Sequence, residues 1–142
     1  MSRLDSVIRR LKAQRSCIDA AVAIVGRRAG VVLELGLGNG RTYDHLREHM
    51  PDQEIFVFDR QSAAHPHSTP DVSHMILGDL KQTLLAAQAR FHKTVVLVHS
   101  DVGTGNDAEN AMLAEFVGLA LEPMLAPGAV VVSDQAFVIP GT

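Results

Sequence analysis

Three glycines alternate with other residues behind a glutamate, at Glu34, Gly36, Gly38 and Gly40. Glycine lets a backbone turn tightly and approach a ligand closely, where any Cβ would clash. A carboxylate, Asp59, follows 23 residues after Gly36, at the end of the next apolar run. An acid in that position can accept hydrogen bonds from two ribose hydroxyls. These residue types in this order predict a site for a ligand that contains a nucleoside.

The same residues also admit purely structural roles. The glycines could serve only the turn, and Asp59 could cap a helix. Two better-known nucleotide motifs do not fit: the dinucleotide fingerprint requires glycine where Arg41 stands, and the Gly-Lys-Ser/Thr of a phosphate loop is missing. After residue 30 the chain holds six basic and fourteen acidic residues, and this balance, with Glu34 in the loop motif, disfavours a pyrophosphate. The same features suit a ligand that carries an ammonium and a sulfonium group.

The composition limits the class of protein. The 142 residues are 46% hydrophobic and 20% charged, which is typical of one soluble globular domain. Aromatic residues make up 4%, with Tyr43 the only tyrosine, so aromatic stacking on single-stranded nucleic acid is disfavoured. Cys17 is the only cysteine, which excludes an intrachain disulfide and a multi-cysteine zinc site. No apolar stretch is long enough to cross a membrane, and we expect a cytoplasmic protein.

Apolar runs and helical patterns alternate along the chain after residue 30. Runs rich in Val, Leu and Ile predict strands at 31–35, 54–59, 74–77, 94–99 and 129–133. Helical patterns lie between them at 41–50, 80–91 and 107–121. Strands of continuous apolar character, separated by helices, indicate a mostly parallel sheet that is covered on both faces. The sequence therefore predicts a doubly wound α/β fold with at least five strands.

An amphipathic helix is predicted ahead of the first strand, over residues 3–26. Its apolar positions recur at helical spacing, and arginines occupy the other face. We expect residues 1–29 to pack as a helix on a ligand-binding domain of residues 30–142; a helix for a membrane surface or a partner is the alternative. Residues 60–71 contain two prolines and leave room for at most two helical turns. This segment could fold over a bound molecule.

The motifs together resemble those of the class I S-adenosylmethionine-dependent methyltransferases, over about residues 30 to 134. The first motif of that family is an acidic residue followed by three alternate glycines, and a ribose-binding acid, which Asp59 resembles, follows its second strand. The family also carries an adenine-contacting segment, to which Gly78-Asp79 is similar. Residues 125–129, Leu-Ala-Pro-Gly-Ala, look like its turn before the fifth strand. Asp79 could equally cap the helix at 80–91. The resemblance implies S-adenosyl-L-methionine as cofactor, bound by Glu34, Gly36, Gly38, Gly40, Asp59, Gly78, Asp79 and Ser100.

The resemblance also implies that the transferred methyl group lies near the carboxyl ends of the first, fourth and fifth strands. The candidate catalytic residues there are His99, Asp101 and Asp134. Histidine titrates near neutral pH and could act as a base, although a strand-end histidine bonded to a backbone carbonyl is the alternative. Asp101 could bind substrate, or cap the turn that contains Gly103 and Gly105.

No metal site is predicted. The pair Asp134-Gln135 is similar to an Asp-Asn pair in metal-dependent members of the family, but His99 stands where those members carry an aspartate. Magnesium prefers oxygen ligands, so these departures count against it. His65 and His67 lack a third ligand and are expected to be solvated loop residues.

The expected function is methyl transfer to a small-molecule acceptor by in-line displacement, without a nucleic-acid or membrane partner. A non-catalytic S-adenosylmethionine-binding module or partner subunit is the alternative, and a nicotinamide-dependent oxidoreductase is a third. The family's sheet normally has two further strands after the fifth. Because an open strand edge is usually covered, we expect residues 137–139 or a second subunit to cover it, and hence a homodimer.

Overall fold

Five parallel strands form one sheet in the computed structural model, which describes residues 1–140. The strand order is β3-β2-β1-β4-β5, and every neighbouring pair is parallel. The strands are β1 (Val31–Leu35), β2 (Ile55–Asp59), β3 (Met75–Leu77), β4 (Val95–Ser100) and β5 (Leu125–Ser133), and the helices are α1 (Arg3–Val25), α2 (Arg41–His49), α3 (Leu80–Ala87) and α4 (Asp107–Leu121). Short 3₁₀ segments lie at Pro66–Ser68, Val72–His74 and Glu122–Met124. The predicted doubly wound α/β fold is confirmed.

Helices cover the sheet on both faces, which is why its central strands are apolar on both sides. Successive side chains of β1 alternate between the faces: Leu33 and Leu35 pack with α3 and α4, whereas Val32 packs with α1 and α2. The order of the strands reverses at β1, whose two neighbours are β2 and β4. Open α/β sheets bind their ligands at such a point, outside the carboxyl ends of the strands.

Helix α1 packs on the sheet through only part of its length. Ile18, Ala21 and Val25 are buried, but Leu4 and Ile8, which belong to the predicted apolar face, are 69% and 42% exposed. In the first half of α1, Arg10 and Gln14 line the same cleft as His99 and Asp134 at the carboxyl edge of the sheet. The predicted bounds of the helix are therefore close to the observed ones, but only the second half of its predicted apolar face is buried. None of the described helices is apolar and long enough to cross a membrane.

The fifth strand begins earlier than predicted. Val95 of β4 is opposite Leu125, and Leu97 is opposite Val130, so β5 carries three extra residues over that interval. Residues 125–129, predicted as a turn before the strand, thus form a bulge within it. The guanidinium of Arg28 holds this bulge, donating to the carbonyl oxygens of Pro127 and of Gly128, the latter at 2.8 Å.

Two further segments differ from the prediction. Helix α3 ends at Ala87 rather than at residue 91, because the chain turns there and Lys93 adopts a positive φ of 53° before β4. Residues 137–139 form no strand against β5. They pack on α4, where a Cβ built on Gly118 would lie 2.6 Å from the carbonyl oxygen of Val138. Among residues 1–140, β5 pairs only with β4.

Candidate active site

The glycine loop between β1 and α2 is shaped by left-handed backbone and by close packing. Gly36, Gly38 and Gly40 have φ values of 88°, 53° and 83°, which L side chains rarely adopt. A Cβ on Gly36 would lie 2.9 Å from the carbonyl oxygen of Asp101, and a Cβ on Gly40 would lie 2.3 Å from that of Ser68. Beside Gly38 no protein atom lies within 4 Å of a Cβ position. The loop is thus fixed at both ends and open at its middle.

Asp59 holds the glycine loop from the neighbouring strand. Its Oδ2 accepts hydrogen bonds from the backbone N–H groups of Leu37, at 2.8 Å, and Gly38, at 3.4 Å. Its Oδ1 accepts from the N–H of Arg60 at 2.6 Å. The predicted acid and the predicted loop therefore meet at the carboxyl ends of β1 and β2. The carboxylate caps the loop rather than a helix, which differs from the structural alternative considered above.

The segment after β2 packs against the same loop. Ala64 and Ser68 approach Gly40, so this part of the segment covers the start of α2, although most of residues 60–74 are exposed. The hydroxyl of Thr69 donates to the carbonyl of His65 at 3.0 Å, which tightens the turn. One 3₁₀ segment, Pro66–Ser68, lies within residues 60–71, where at most two helical turns were predicted, and a second, Val72–His74, follows that segment.

Six of the eight predicted cofactor residues do not line the cleft described below: Glu34, Gly40, Asp59, Gly78, Asp79 and Ser100. Gly78 and Asp79 follow β3, and Asp79 caps α3 by accepting a hydrogen bond from the N–H of Lys81 at 3.0 Å. Its other oxygen lies 3.4 Å from the guanidinium of Arg60. Ser100 is fully buried, two residues after Val98 on the face of α3 and α4, and its hydroxyl has no hydrogen-bond partner among the described residues.

A buried acid–histidine pair lies at the ends of β1 and β4. Glu34 and His99 are opposite each other in the parallel register and are 0% and 2% exposed. The Nδ1 of His99 is hydrogen-bonded to Oε1 of Glu34, and the hydroxyl of Thr42 donates to Oε2 at 2.9 Å. Thr42 belongs to the first turn of α2, so the helix that follows the glycine loop also orients the carboxylate.

Burial and charge act together on this pair. Burial raises the pKa of Glu34, because the charged carboxylate loses its solvent. Burial alone would lower the pKa of His99, but the hydrogen bond and the charge of Glu34 outweigh it, and the pKa of His99 is raised. Both shifts have the same direction, so each side chain of the pair binds its proton more tightly than it would in solvent.

Two carboxylates follow the ends of β4 and β5. Asp134 is close to Asp101; burial and, next, the negative charge of Asp101 raise the pKa of Asp134. Its Oδ2 packs against Gly103, and a Cβ added to that glycine would lie only 2.5 Å from this oxygen. The side-chain amide of Gln14 on α1 donates to Asp101 at 3.4 Å, which links the helix to the strand ends.

These groups line one cleft of about 850 Å³ at the carboxyl edge of the sheet. The cleft joins the glycine loop, the strand-end residues and the first half of α1. Its walls include Gly36, Gly38, His99, Asp101, Asp134, Gln135, Thr42, Arg10, Gln14 and Cys17. The structure thus brings together the three predicted catalytic residues and two of the predicted glycines, with Glu34 directly behind His99.

The residues of α1 were missed from the sequence. No motif points to Arg10, Gln14 or Cys17. The amphipathic pattern shows only that these residues are not on the apolar face of the helix. Thr42 had a weak signal, since a polar residue in the first turn after a glycine loop is well placed to contact the ligand or the preceding strand.

The cradle of the loop fits the predicted cofactor. The backbone of the loop leaves open space at Gly38, and the carboxylate of Asp59 lies beside it. The adjoining cleft carries Asp101 and Asp134 together with Arg10 and Arg41. An adenosyl group requires close backbone approach, which the open space at Gly38 allows.

Comparisons with known proteins agree with this geometry. A family model described as S-adenosyl-L-methionine methyltransferase matches residues 1–141. The crystal structure of an S-adenosyl-L-methionine methyltransferase from Silicibacter pomeroyi DSS-3 is 45% identical, with a TM-score of 0.92 over 99% of this chain and 86% of that one. A comparison with curated proteins gave no match.

More distant structures share the fold alone. The NAD complex of WbmG from Bordetella bronchiseptica is 22% identical, with a TM-score of 0.52 over 76% of this chain and 38% of that one. The antibiotic-resistance methyltransferase Kmr is 14% identical, with a TM-score of 0.50 over 87% of this chain and 66% of that one.

The match of the family model over nearly the whole chain confirms the predicted resemblance, the predicted enzyme class and the predicted cofactor, S-adenosyl-L-methionine. The chain belongs to the S-adenosyl-L-methionine methyltransferase family.

Proposed function

We propose that this enzyme methylates a small-molecule acceptor in the cleft at the carboxyl edge of the sheet, with His99 as the base. The observation that carries the proposal is the hydrogen bond between Nδ1 of His99 and the buried carboxylate of Glu34, behind a ring that lines the cleft. That arrangement prepares one histidine nitrogen for proton transfer at a position next to the glycine loop.

The cofactor is assigned to the glycine loop and to Asp59. When bound, S-adenosyl-L-methionine supplies a methyl group on a positively charged sulfur. The loop offers open backbone at Gly38, and Asp59 fixes the loop through two N–H groups while retaining lone pairs for ribose hydroxyls. Gly40 holds the loop against Ser68. Gly78, Asp79 and Ser100 stay in the proposed cofactor set on the family resemblance alone.

His99 is proposed to accept the proton of the acceptor's hydroxyl or amine. With the shared proton on Nδ1, the other ring nitrogen, Nε2, keeps its lone pair, and no described residue hydrogen-bonds to it. Glu34 orients the ring and stabilises the imidazolium that forms, a role that buried carboxylates have beside catalytic histidines. Thr42 in turn orients Glu34 through its hydroxyl.

Asp101 and Asp134 are proposed to bind the acceptor. Their carboxylate oxygens accept hydrogen bonds, which favours acceptors that carry an amine or several hydrogen-bond donors. A cleft of about 850 Å³ falls in the range of small-molecule sites, roughly 300–1,000 Å³. Displacement needs the acceptor held in line with the methyl group and shielded from water, and the first half of α1 forms the wall that can shield it.

The test is release of S-adenosylhomocysteine across a panel of small amines and phenols, with the wild type and His99→Gln. A lost general base lowers kcat by about 10²–10⁴-fold. The affinity for S-adenosylhomocysteine, measured by calorimetry, should stay the same. His92→Gln is the matched control, because His92 is exposed and outside the cleft. Unchanged turnover in His99→Gln would remove the histidine from the mechanism, and turnover confined to macromolecular acceptors would contradict the small-molecule assignment.

A further inference from the structure

A second group of chemically competent side chains lies between α1 and α2. Asp19 of α1 and His45 and His49 of α2 each offer one ligand atom, and these atoms all lie within 4.8 Å of one another. None of the three lines the cleft that contains His99. The group is therefore separate from the proposed methyl-transfer chemistry.

The two histidines share one face of α2. They are four residues apart, a spacing that stacks side chains on the same side of a helix, and their ring centroids are 4.2 Å apart. Nδ1 of His49 bonds to the carbonyl oxygen of His45 at 2.9 Å, so the ring is oriented through one nitrogen. Its other nitrogen makes no hydrogen bond among the described residues. A histidine held through Nδ1 with Nε2 free is the usual arrangement of a metal ligand.

The third group completes the set across the helix interface. Oδ1 of Asp19 lies 2.6 Å from Nε2 of His45. The side chains of Asp19 and His45 are 49% and 23% exposed, so an ion has access from solvent. Two imidazoles and one carboxylate, with a position left for water, form a donor set that suits zinc.

The donor atoms narrow the choice of ion. His49 is the last residue of α2, and the carboxyl end of a helix favours positive charge. The hydrogen bond to His45 lowers the pKa of Asp19, and the charges of His45, His49 and Arg15 act in the same direction. Calcium and magnesium bind through oxygen ligands, so a site with two imidazoles and one carboxylate is unfavourable for them. The two imidazoles therefore favour zinc.

We propose that Asp19, His45 and His49 form a zinc-binding site that joins α1 to α2. This departs from the expectation of no metal in the sequence. The ligands belong to the two helices that flank the cleft, and the turn of α1 that precedes Asp19 carries Gln14 and Cys17 into the cleft wall. A bound zinc ion thus fixes the position of that wall. The inference does not depend on the identity of the methyl acceptor.

The test is a calorimetric titration of zinc chloride into the full chain after dialysis against a chelator. We expect one zinc ion per chain for the wild type. For His49→Gln and for Asp19→Asn we expect zinc to bind about tenfold or more weakly, because loss of a group that only orients a metal ligand already weakens metal binding by that factor. His67→Gln is the matched control, because His67 lies in the other histidine pair of the chain, stacked on His65.

Thermal unfolding gives an independent measurement. A ligand that binds only the folded chain raises its midpoint, so zinc should raise the midpoint of the wild type and of His67→Gln. It should leave the midpoint of His49→Gln and Asp19→Asn unchanged. No zinc binding by the wild type, equal affinity in His49→Gln, or loss of binding in His67→Gln would each overturn the site. S-adenosylhomocysteine binding by the same variants would remain intact, which separates this test from that of the proposed function.

Discussion

At the scale of single residues, the site depends on a buried carboxylate that would be costly without its partners. Glu34 is fully buried, and both of its oxygens are used, one by His99 and one by Thr42. Buried polar groups are tolerated when they are hydrogen-bonded, and an acid beside an imidazole shifts the proton balance of both. The same contact therefore stabilises the strand ends and tunes the proposed base.

Glu34→Gln should shift the pH dependence of catalysis. The charge of Glu34 opposes the effect of burial on His99, so its removal leaves burial dominant and lowers the pKa of His99. Because the base must be unprotonated, the rising limb of the plot of log kcat/KM against pH should move to lower pH, while the maximal rate falls. A pH–rate series for the wild type and the variant measures both. An unmoved limb would show that His99 is not the titrating base.

Asp59→Ala should weaken the binding of S-adenosylhomocysteine by about 1–3 kcal/mol, the cost of losing a charged hydrogen-bond acceptor. The carboxylate of Asp59 accepts hydrogen bonds from the N–H groups of Leu37 and Gly38, so part of the lost affinity comes from a less well-held loop. Calorimetry on the purified variant gives the value. Asp52→Ala, at an exposed position outside the loop, is the control and should bind as the wild type does. Equal affinities in all three proteins would remove Asp59 from the site.

At the scale of elements, the glycine loop depends on the segment that follows β4. Gly36 packs under the backbone of Asp101, so the loop that we propose to bind the cofactor and the loop that carries a proposed acceptor-binding residue are in direct contact. Displacement of either loop therefore moves the other.

Gly36→Ala should destabilise the protein by about 1–3 kcal/mol, since it forces a non-glycine residue into left-handed backbone and into contact with Asp101. Urea unfolding gives the stability, and calorimetry gives the affinity for S-adenosylhomocysteine, which should also fall. The matched control is Gly105→Ala, where no atom lies within 4 Å of the new Cβ. If the two variants behaved alike, the close packing of Gly36 would not matter.

At the scale of the whole molecule, the predicted dimer depends on the outer edge of β5. Within residues 1–140 that strand pairs only with β4, and residues 137–139 pack on α4 instead of extending the sheet. An edge strand exposes unpaired backbone groups that proteins generally cover. The homodimer stays a prediction. Because residues 137–139 do not pair with this edge, a second subunit is the remaining candidate to cover it.

Sedimentation velocity over a range of protein concentrations measures the assembly. We expect a dimer at micromolar concentration and above, because strand pairing across the edge would satisfy the free N–H and C=O groups of β5. A single boundary at the mass of one chain, 15.3 kDa, at every concentration would contradict the dimer.

Local patterns determined the order of the elements and the cofactor loop. The strands are continuous in apolar residues because they are buried on both faces, and this property is visible in each run by itself. The three glycines are equally visible, since left-handed backbone limits the residue type at each position. The family and its cofactor followed from these local features.

Contacts between distant parts of the chain decided the rest. The pairing of Glu34 with His99 depends on the register of two parallel strands 65 residues apart, and no local pattern encodes that register. The packing of α1 on the sheet and against α2 depends on how a helix crosses surfaces built from other segments, which is what makes α1 a wall of the cleft and brings Asp19 to His45. Sequence reports which residue types are available at short range, whereas only the folded chain brings them together over long distances.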